Sequence, residues 1–212
     1  GATTTNLAGS GIVKAVFPKT ATTISKSAIL GATPPATGAA PKAEITASTE
    51  YTGTIAWAPA DVKFAPGTAY TATITLTPKA GFTLTGVTKD FFKVAGATAT
   101  NDAGSGTVTA VFQETALIKI STAAIPGITV PVAGAAQTVA VDTAQFTVAG
   151  TSWDPNDDPY TPGKAYTAII SLSAKPGYTF NGVGANFFKV AGATTTNSAY
   201  TGGPGDVVTA VF

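Results

Sequence analysis

The sequence predicts an all-β chain: two tandem antiparallel β-sandwiches, preceded by the strand or hairpin of a partial repeat. Three observations carry that reading. The chain repeats itself at an interval of 96 residues, each repeat alternates apolar and hydroxyl side chains with a period of two, and turn residues punctuate short strands throughout.

The interval is plainest in Tyr70-Thr-Ala-Thr-Ile-Thr-Leu-Thr-Pro-Lys-Ala-Gly-Phe82 and Tyr166-Thr-Ala-Ile-Ile-Ser-Leu-Ser-Ala-Lys-Pro-Gly-Tyr178, which start 96 positions apart. Trp57 and Trp153, Gly67 and Gly163, and Phe91-Phe92 and Phe187-Phe188 keep the same spacing. So do Ile24 and Ile120, Ile29 and Ile125, Gly31 and Gly127, Pro35 and Pro131, and Gly38 and Gly134. Matches across the whole period without drift define a structural unit. Residues 18–112 are the first repeat and residues 113–212 the second. They are expected to fold as similar sandwiches joined end to end, because no Pro/Ser/Gly-rich spacer separates them at Phe112-Gln113.

Each repeat ends on a second signature. Gly96-Ala-Thr-Ala-Thr-Asn101 leads to Thr-Ala-Val-Phe112, and Gly192-Ala-Thr-Thr-Thr-Asn197 leads to Thr-Ala-Val-Phe212. A third copy opens the chain as Gly1-Ala-Thr-Thr-Thr-Asn6 and ends at Lys14-Ala-Val-Phe17. Residues 1–17 therefore read as the closing segment of a preceding repeat, so that the chain begins in mid-repeat. Three closing segments serve two bodies, and either 1–17 or 192–212 is surplus. A surplus strand such as Ile12-Val-Lys-Ala-Val-Phe17 offers open backbone groups to the sheet edge of another copy. The opening Gly1-Ala-Thr-Thr-Thr has neither initiator Met nor signal peptide, as expected of a mature product or an excised fragment.

Within the repeats, Tyr70, Ala72, Ile74 and Leu76 fall on one face, and Thr71, Thr73, Thr75 and Thr77 on the other. Tyr166, Ala168, Ile170 and Leu172 repeat the apolar face, and Val108, Ala110, Phe112 and Val208, Ala210, Phe212 alternate likewise. That is the pattern of a half-buried antiparallel strand. Pro66-Gly67, Pro162-Gly163, Asn181-Gly182 and Gly202-Gly203-Pro204-Gly205 mark the turns. No segment carries a helical period. Seven or so strands in about 95 residues, with a Trp in mid-unit, point to the immunoglobulin type of sandwich, though without the inter-sheet disulfide of antibody domains.

Composition narrows the function. Charged residues are 11% of the chain against 44% hydrophobic, so Thr, Ser and Gly must supply most of the polar surface. His and Cys are absent, which removes the commonest general base, the thiol nucleophile and the soft metal ligands. All 12 cations are Lys, which removes bidentate arginine clamps. A net charge of +1 argues against nucleic acid, and no stretch nears 18 continuous apolar residues, so no membrane span is expected. Lack of Cys fits either a reduced cytosol or an exterior, and the exterior is favoured because a long-lived surface protein gains from lacking oxidisable Cys and Met.

The repeat resembles the tandem immunoglobulin-like repeats of large bacterial cell-surface proteins, found beside S-layer-homology or adhesin modules. The likeness is carried by Trp57 and Pro59, Phe64 to Leu76, Lys79 to Phe82, Phe91-Phe92 and Val94 to Asn101. It returns in Trp153, Tyr166 to Gly177 and Phe187 to Asn197. The resemblance implies a bacterial, secreted, surface-attached array serving as spacer, stalk, wall or filament, with no catalytic residues.

Candidate sites each meet a plainer reading. Asp154-Pro-Asn-Asp157-Asp158 is the one acidic cluster, but the first repeat has Ala58-Pro-Ala-Asp61 there, so a solvated turn is expected rather than a Ca²⁺ loop. Glu44, Glu50 and Asp61, set against Asp142, Asp154 and Asp157, read as solubility charges on turns, not as a glycosidase pair. Lys14, Lys79, Lys93, Lys175 and Lys189 are donors by type for a cross-link to Asn or Asp, which needs a buried acid to assist and for which the sequence gives no geometry. Trp57, Tyr70, Phe82, Phe91 and Phe92 sit at repeat-invariant positions, as core residues would, rather than as a sugar-stacking platform. Both tryptophans are expected to be buried between sheets. The Thr runs at 3–5 and 194–196 read as hydrophilic loops, and no Asn-x-Ser/Thr sequon occurs.

The expectation is a structural subunit of an extracellular bacterial filament, sheath or surface stalk, assembled head to tail by β-strand addition. Its partners are copies of itself. The alternative is an adhesin or carbohydrate-binding surface module, for which the Asp154–Tyr160 and Ala199–Gly205 loops are the patches that depart from the repeat, with a glycan or host surface as ligand. An enzyme is not expected, and no catalytic, cofactor-binding or metal-binding residue is assigned.

Overall fold

A computed structural model of the chain describes residues 2–6, 8–17, 20–202 and 205–212, and among these every regular element is a β-strand. Contacts divide the chain into two compact units, Gly1–Phe64 with Thr68–Thr115, and Ala65–Gly67 with Ala116–Phe212. A hairpin comes first. Its strands β1 (Thr3–Asn6) and β2 (Val13–Val16) pair antiparallel, with Thr3 opposite Val16 and Asn6 opposite Val13.

In the first unit the strands are β3 (Thr22–Thr23), β4 (Ala28–Ile29), β5 (Tyr51–Ala58), β6 (Thr71–Pro78), β7 (Phe82–Thr83), β8 (Lys93–Val94), β9 (Ala97–Thr100) and β10 (Thr107–Phe112). The main sheet is antiparallel in the order β5-β6-β10-β9. Strand β6 is central because its Thr-x-Thr alternation buries one row fully. Ala72, Ile74 and Leu76 enter the core, beside Val108, Ala110 and Phe112 of β10. Residues 43–45 run along the outer edge of β5, where Ile55 N donates to Ala43 O at 2.7 Å and Ile45 N donates to Gly53 O at 3.2 Å.

Short pairs supply the facing layer. Strand β3 lies parallel to β7, and β4 parallel to β8. This departs from the wholly antiparallel arrangement expected. The reason is topological: the long β5–β6 excursion carries the chain out through the main sheet and returns it in its original direction, which is what parallel neighbours require. Ile24, Ile29, Phe92 and Val94 of this layer pack on the β6 and β10 side chains, and the Tyr51 and Phe92 rings meet edge to face at 5.9 Å. Each such buried side chain contributes about 1.5–3 kcal/mol.

The second unit repeats the plan with β11 (Ile118–Lys119), β12 (Phe146–Asp154), β13 (Thr167–Ala174), β14 (Tyr178–Thr179), β15 (Thr194–Thr196) and β16 (Asp206–Val211). Its sheet runs β12-β13-β16-β15, β11 lies parallel to β14, and an Ala124–Lys189 bridge stands where β4 meets β8. One irregularity is its own: the register of β12 shifts between Val148 and Gly150.

Candidate interaction site

The closing hairpins β9–β10 and β15–β16 each seal a unit. Asn101 and Asn197 are buried at the turn out of the first strand. Asn101 Oδ1 accepts from Phe92 N at 3.1 Å while its amide donates to Thr88 O and Asp102 O. Asn197 accepts from Phe188 N and donates to Gly184 O and Ser198 O. The two ends of the chain are paired differently. Residues 206–211 pair with β13 and residues 194–196 with β16 in their own unit, whereas among the described residues β2 pairs with β1 alone.

The exposed hairpin shows what it lacks. Val13 is 66% and Phe17 74% exposed, although their repeat counterparts Val108, Phe112 and Val208 are buried. The far side is apolar too, with Ile12 and Val16 in solvent. An apolar strand with both faces wet and an edge free of strand partners is a surface poised for sheet extension.

Elsewhere, side chains read as sites turn out to brace the fold. Glu50, only 7% exposed, accepts from Ser25 N at 2.7 Å, Ser25 Oγ at 2.8 Å and Lys26 N at 2.9 Å. The Lys26 backbone bond, opposed by burial and aided by Ser25, holds its carboxyl below the usual range. It is therefore a structural acceptor and not the solubility charge expected. In the second unit Gln145 Oε1 does the same for Ser121 N and Thr122 N, both at 2.8 Å. The Tyr70 hydroxyl donates to the Asp61 carboxylate. Its counterpart Tyr166 donates to Asp157 at 2.9 Å, and Asp157 also takes the Lys164 ammonium at 2.7 Å. That bond, then the Tyr166 bond, lowers the Asp157 carboxyl against partial burial. Asp61 and Asp157, like Tyr70 and Tyr166, stand 96 residues apart, the signal in the sequence that marks this pair as part of the repeat.

The acidic loop does not gather its carboxylates on a common point. Asp157 faces Lys164 and Tyr166, Asp158 accepts from Gln137 N at 3.1 Å, and Asn156 accepts from the Gln137 amide. Among the described residues no three acidic groups converge. Lys79, Lys93, Lys175 and Lys189 each donate to a backbone carbonyl, of Ser48, Asp90, Thr143 and Asn186. Lys14 is exposed on β2. Of the second divergent loop, Gly203 and Pro204 lie outside the described residues, while Tyr200 rests on Phe180 with ring centroids 5.6 Å apart.

The aromatics are core. Tyr70 and Phe92 are fully buried, and Phe82 and Phe91 pack on the cluster. Trp153 is buried against Tyr160 and Phe212, with Nε1 donating to Thr138 O. Trp57 makes the matching bond to Lys42 O but is only half buried, contrary to expectation. Small neighbours explain the difference: Thr33, Pro34, Ala36, Ala39 and Ala40 leave a cleft of about 180 Å³ along its indole, too small for an ordinary ligand. The Thr runs are strands rather than loops. Thr195 is buried, donating to Phe188 O at 2.8 Å.

One buried acid has no counterpart in the first unit. Asp206, 9% exposed, begins β16 opposite Leu172, and burial raises its carboxyl against bonds from Val207 N and the Asn197 amide. A comparison with protein-family models, curated proteins and solved structures finds no match for this chain.

Proposed function

We propose that the chain is a structural subunit of an extracellular bacterial filament, sheath or surface stalk, made of immunoglobulin-like repeats and assembled head to tail by β-strand addition. One observation carries the reading. The opening hairpin repeats the sequence and register of the elements that seal the two units, yet its core-facing row is in water. Burying that row against another sheet recovers the hydrophobic free energy the isolated hairpin forgoes. Main-chain bonds along β2 would add affinity, and alternate side chains would set register. The contact joins unlike surfaces, so it propagates rather than closes. Low charge, and acids and lysines engaged in bracing, suit spacer material.

Light scattering and electron microscopy of the intact chain and of a chain lacking residues 2–17 test this. Multimers in the first and monomers in the second, with the same thermal melt, are expected. Multimers in both, or in neither, would overturn it.

A further inference from the structure

Assembly by hairpin addition requires a seat, and the second unit contains one already shaped by a near copy of the hairpin. Resting on the assembly reading above, we propose that residues 2–17 of one copy replace β15–β16 beside β13 of a second copy.

The sequences match first. Gly1-Ala-Thr-Thr-Thr-Asn6 is identical to Gly192-Ala-Thr-Thr-Thr-Asn197, whereas the first unit has Ala99 where both carry Thr. Thr4 would thus bring the hydroxyl that Thr195 donates to Phe188 O. Asn6 would bring the carboxamide with which Asn197 accepts from Phe188 N.

Register matches next. Hairpin β1–β2 pairs Thr3 with Val16, Thr4 with Ala15 and Thr5 with Lys14. Hairpin β15–β16 pairs Thr194 with Val211, Thr195 with Ala210 and Thr196 with Thr209, the same positions in turn. Laid on β13 as the resident lies, Val13 stands opposite Ile170, Ala15 opposite Ala168 and Val16 opposite Thr167. The layer where Ala210 faces Ala168 is fully buried and admits only a small side chain, which Ala15 supplies.

The difference between the two hairpins favours exchange. The resident buries the Asp206 carboxyl opposite Leu172, where bonds from Val207 N and the Asn197 amide offset only part of its burial, while the incoming hairpin has Gly11 at that step, as the first unit has Gly106. Exchange returns a carboxylate to water and puts nothing polar in its place. Against this, the resident's longer loop sets Tyr200 on Phe180, a contact the newcomer lacks. The displaced hairpin also puts its own Val208 and Ala210 in water as the newcomer buries Val13 and Ala15, so the apolar terms nearly cancel. The closed and exchanged states are finely balanced, and concentration decides between them. An N-terminal hairpin seated in a second unit is a heterologous contact, and it generates an open chain of subunits.

The protein has no cysteine, so an engineered pair reports cleanly. Val16→Cys with Thr167→Cys places the two thiols on directly opposed residues of the exchanged pair, within disulfide reach. Mild oxidation of assembled protein is expected to give a reducible ladder of multimers on a denaturing gel. The control, Val16→Cys with Thr71→Cys, targets the corresponding seat in the first unit and is expected to give none. Adding Asp206→Gly to the first pair should cut the ladder about fivefold, by stabilising the closed state. Multimers by light scattering without the first ladder, or with the control ladder instead, would overturn this seat and leave assembly standing. An undiminished ladder with Asp206→Gly would overturn the role given to Asp206. No multimers at all would overturn the assembly reading itself.

Discussion

Glu50 and Gln145 do one task with different chemistry, and the difference is measurable. Each side-chain oxygen ties down two successive backbone N–H groups, Ser25 and Lys26 in one unit and Ser121 and Thr122 in the other. The Glu50 carboxyl is held below its ordinary value when folded. Its contribution is therefore complete above that ordinary value and disappears as pH falls through the folded one. Glu50→Gln should leave the neutral-pH melting temperature nearly unchanged and make its decline in acid shallower, read from thermal melts between about pH 7 and pH 3. An equally steep decline would remove Glu50 from the acid response. The tryptophans make a second residue-scale comparison. Trp153→Ala should cost about 3–5 kcal/mol by denaturant titration, as for other buried aromatics. Half-buried Trp57 should cost less when truncated, and equal losses would contradict the difference in burial.

Elements inherit their limits from close backbone approaches. Gly31 and Gly127 hold φ of +94° and +93°, where side chains are strained. A Cβ on Gly31 would lie 2.4 Å from Thr46 N, and one on Gly127 2.5 Å from Val139 O, so in both units backbone crosses backbone there. Gly31→Ala is expected to destabilise the chain by about 1–3 kcal/mol, measured by denaturant titration. A neutral result would mean that the 31–46 crossing can open at no cost. The long strands β6 and β13 were legible in the sequence because alternation over eight residues has one solution for which face is inside. The two-residue parallel pairs β3–β7 and β4–β8 were not, since two residues carry no period and their partners lie about 60 positions away.

At the scale of the molecule, the proposed assembly depends on apolar burial and main-chain hydrogen bonds more than on charge. The chain carries a net charge of +1, and on the hairpin Lys14 is the one charged residue. Multimer size by light scattering should therefore change little between about 0.05 and 0.5 M salt, a range over which surface electrostatics is strongly screened. Dissolution of multimers by salt would point instead to an electrostatic interface.

By itself the sequence determined the repeat, the all-β class, the inward rows of the long strands and the presence of a third closing segment. Each rests on local pattern, either periodicity along a strand or identity at a fixed interval. The tertiary structure decided how the two end segments are paired, because 1–17 and 192–212 share their opening Gly-Ala-Thr-Thr-Thr-Asn and closing Ala-Val-Phe, and those shared residues do not say which sheet each joins. It also decided that Glu50 and Asp61 brace the fold, that Trp57 is only half covered, and that Asp206 is buried. Those outcomes depend on neighbours brought from distant parts of the chain, and pattern along the chain carries no record of them.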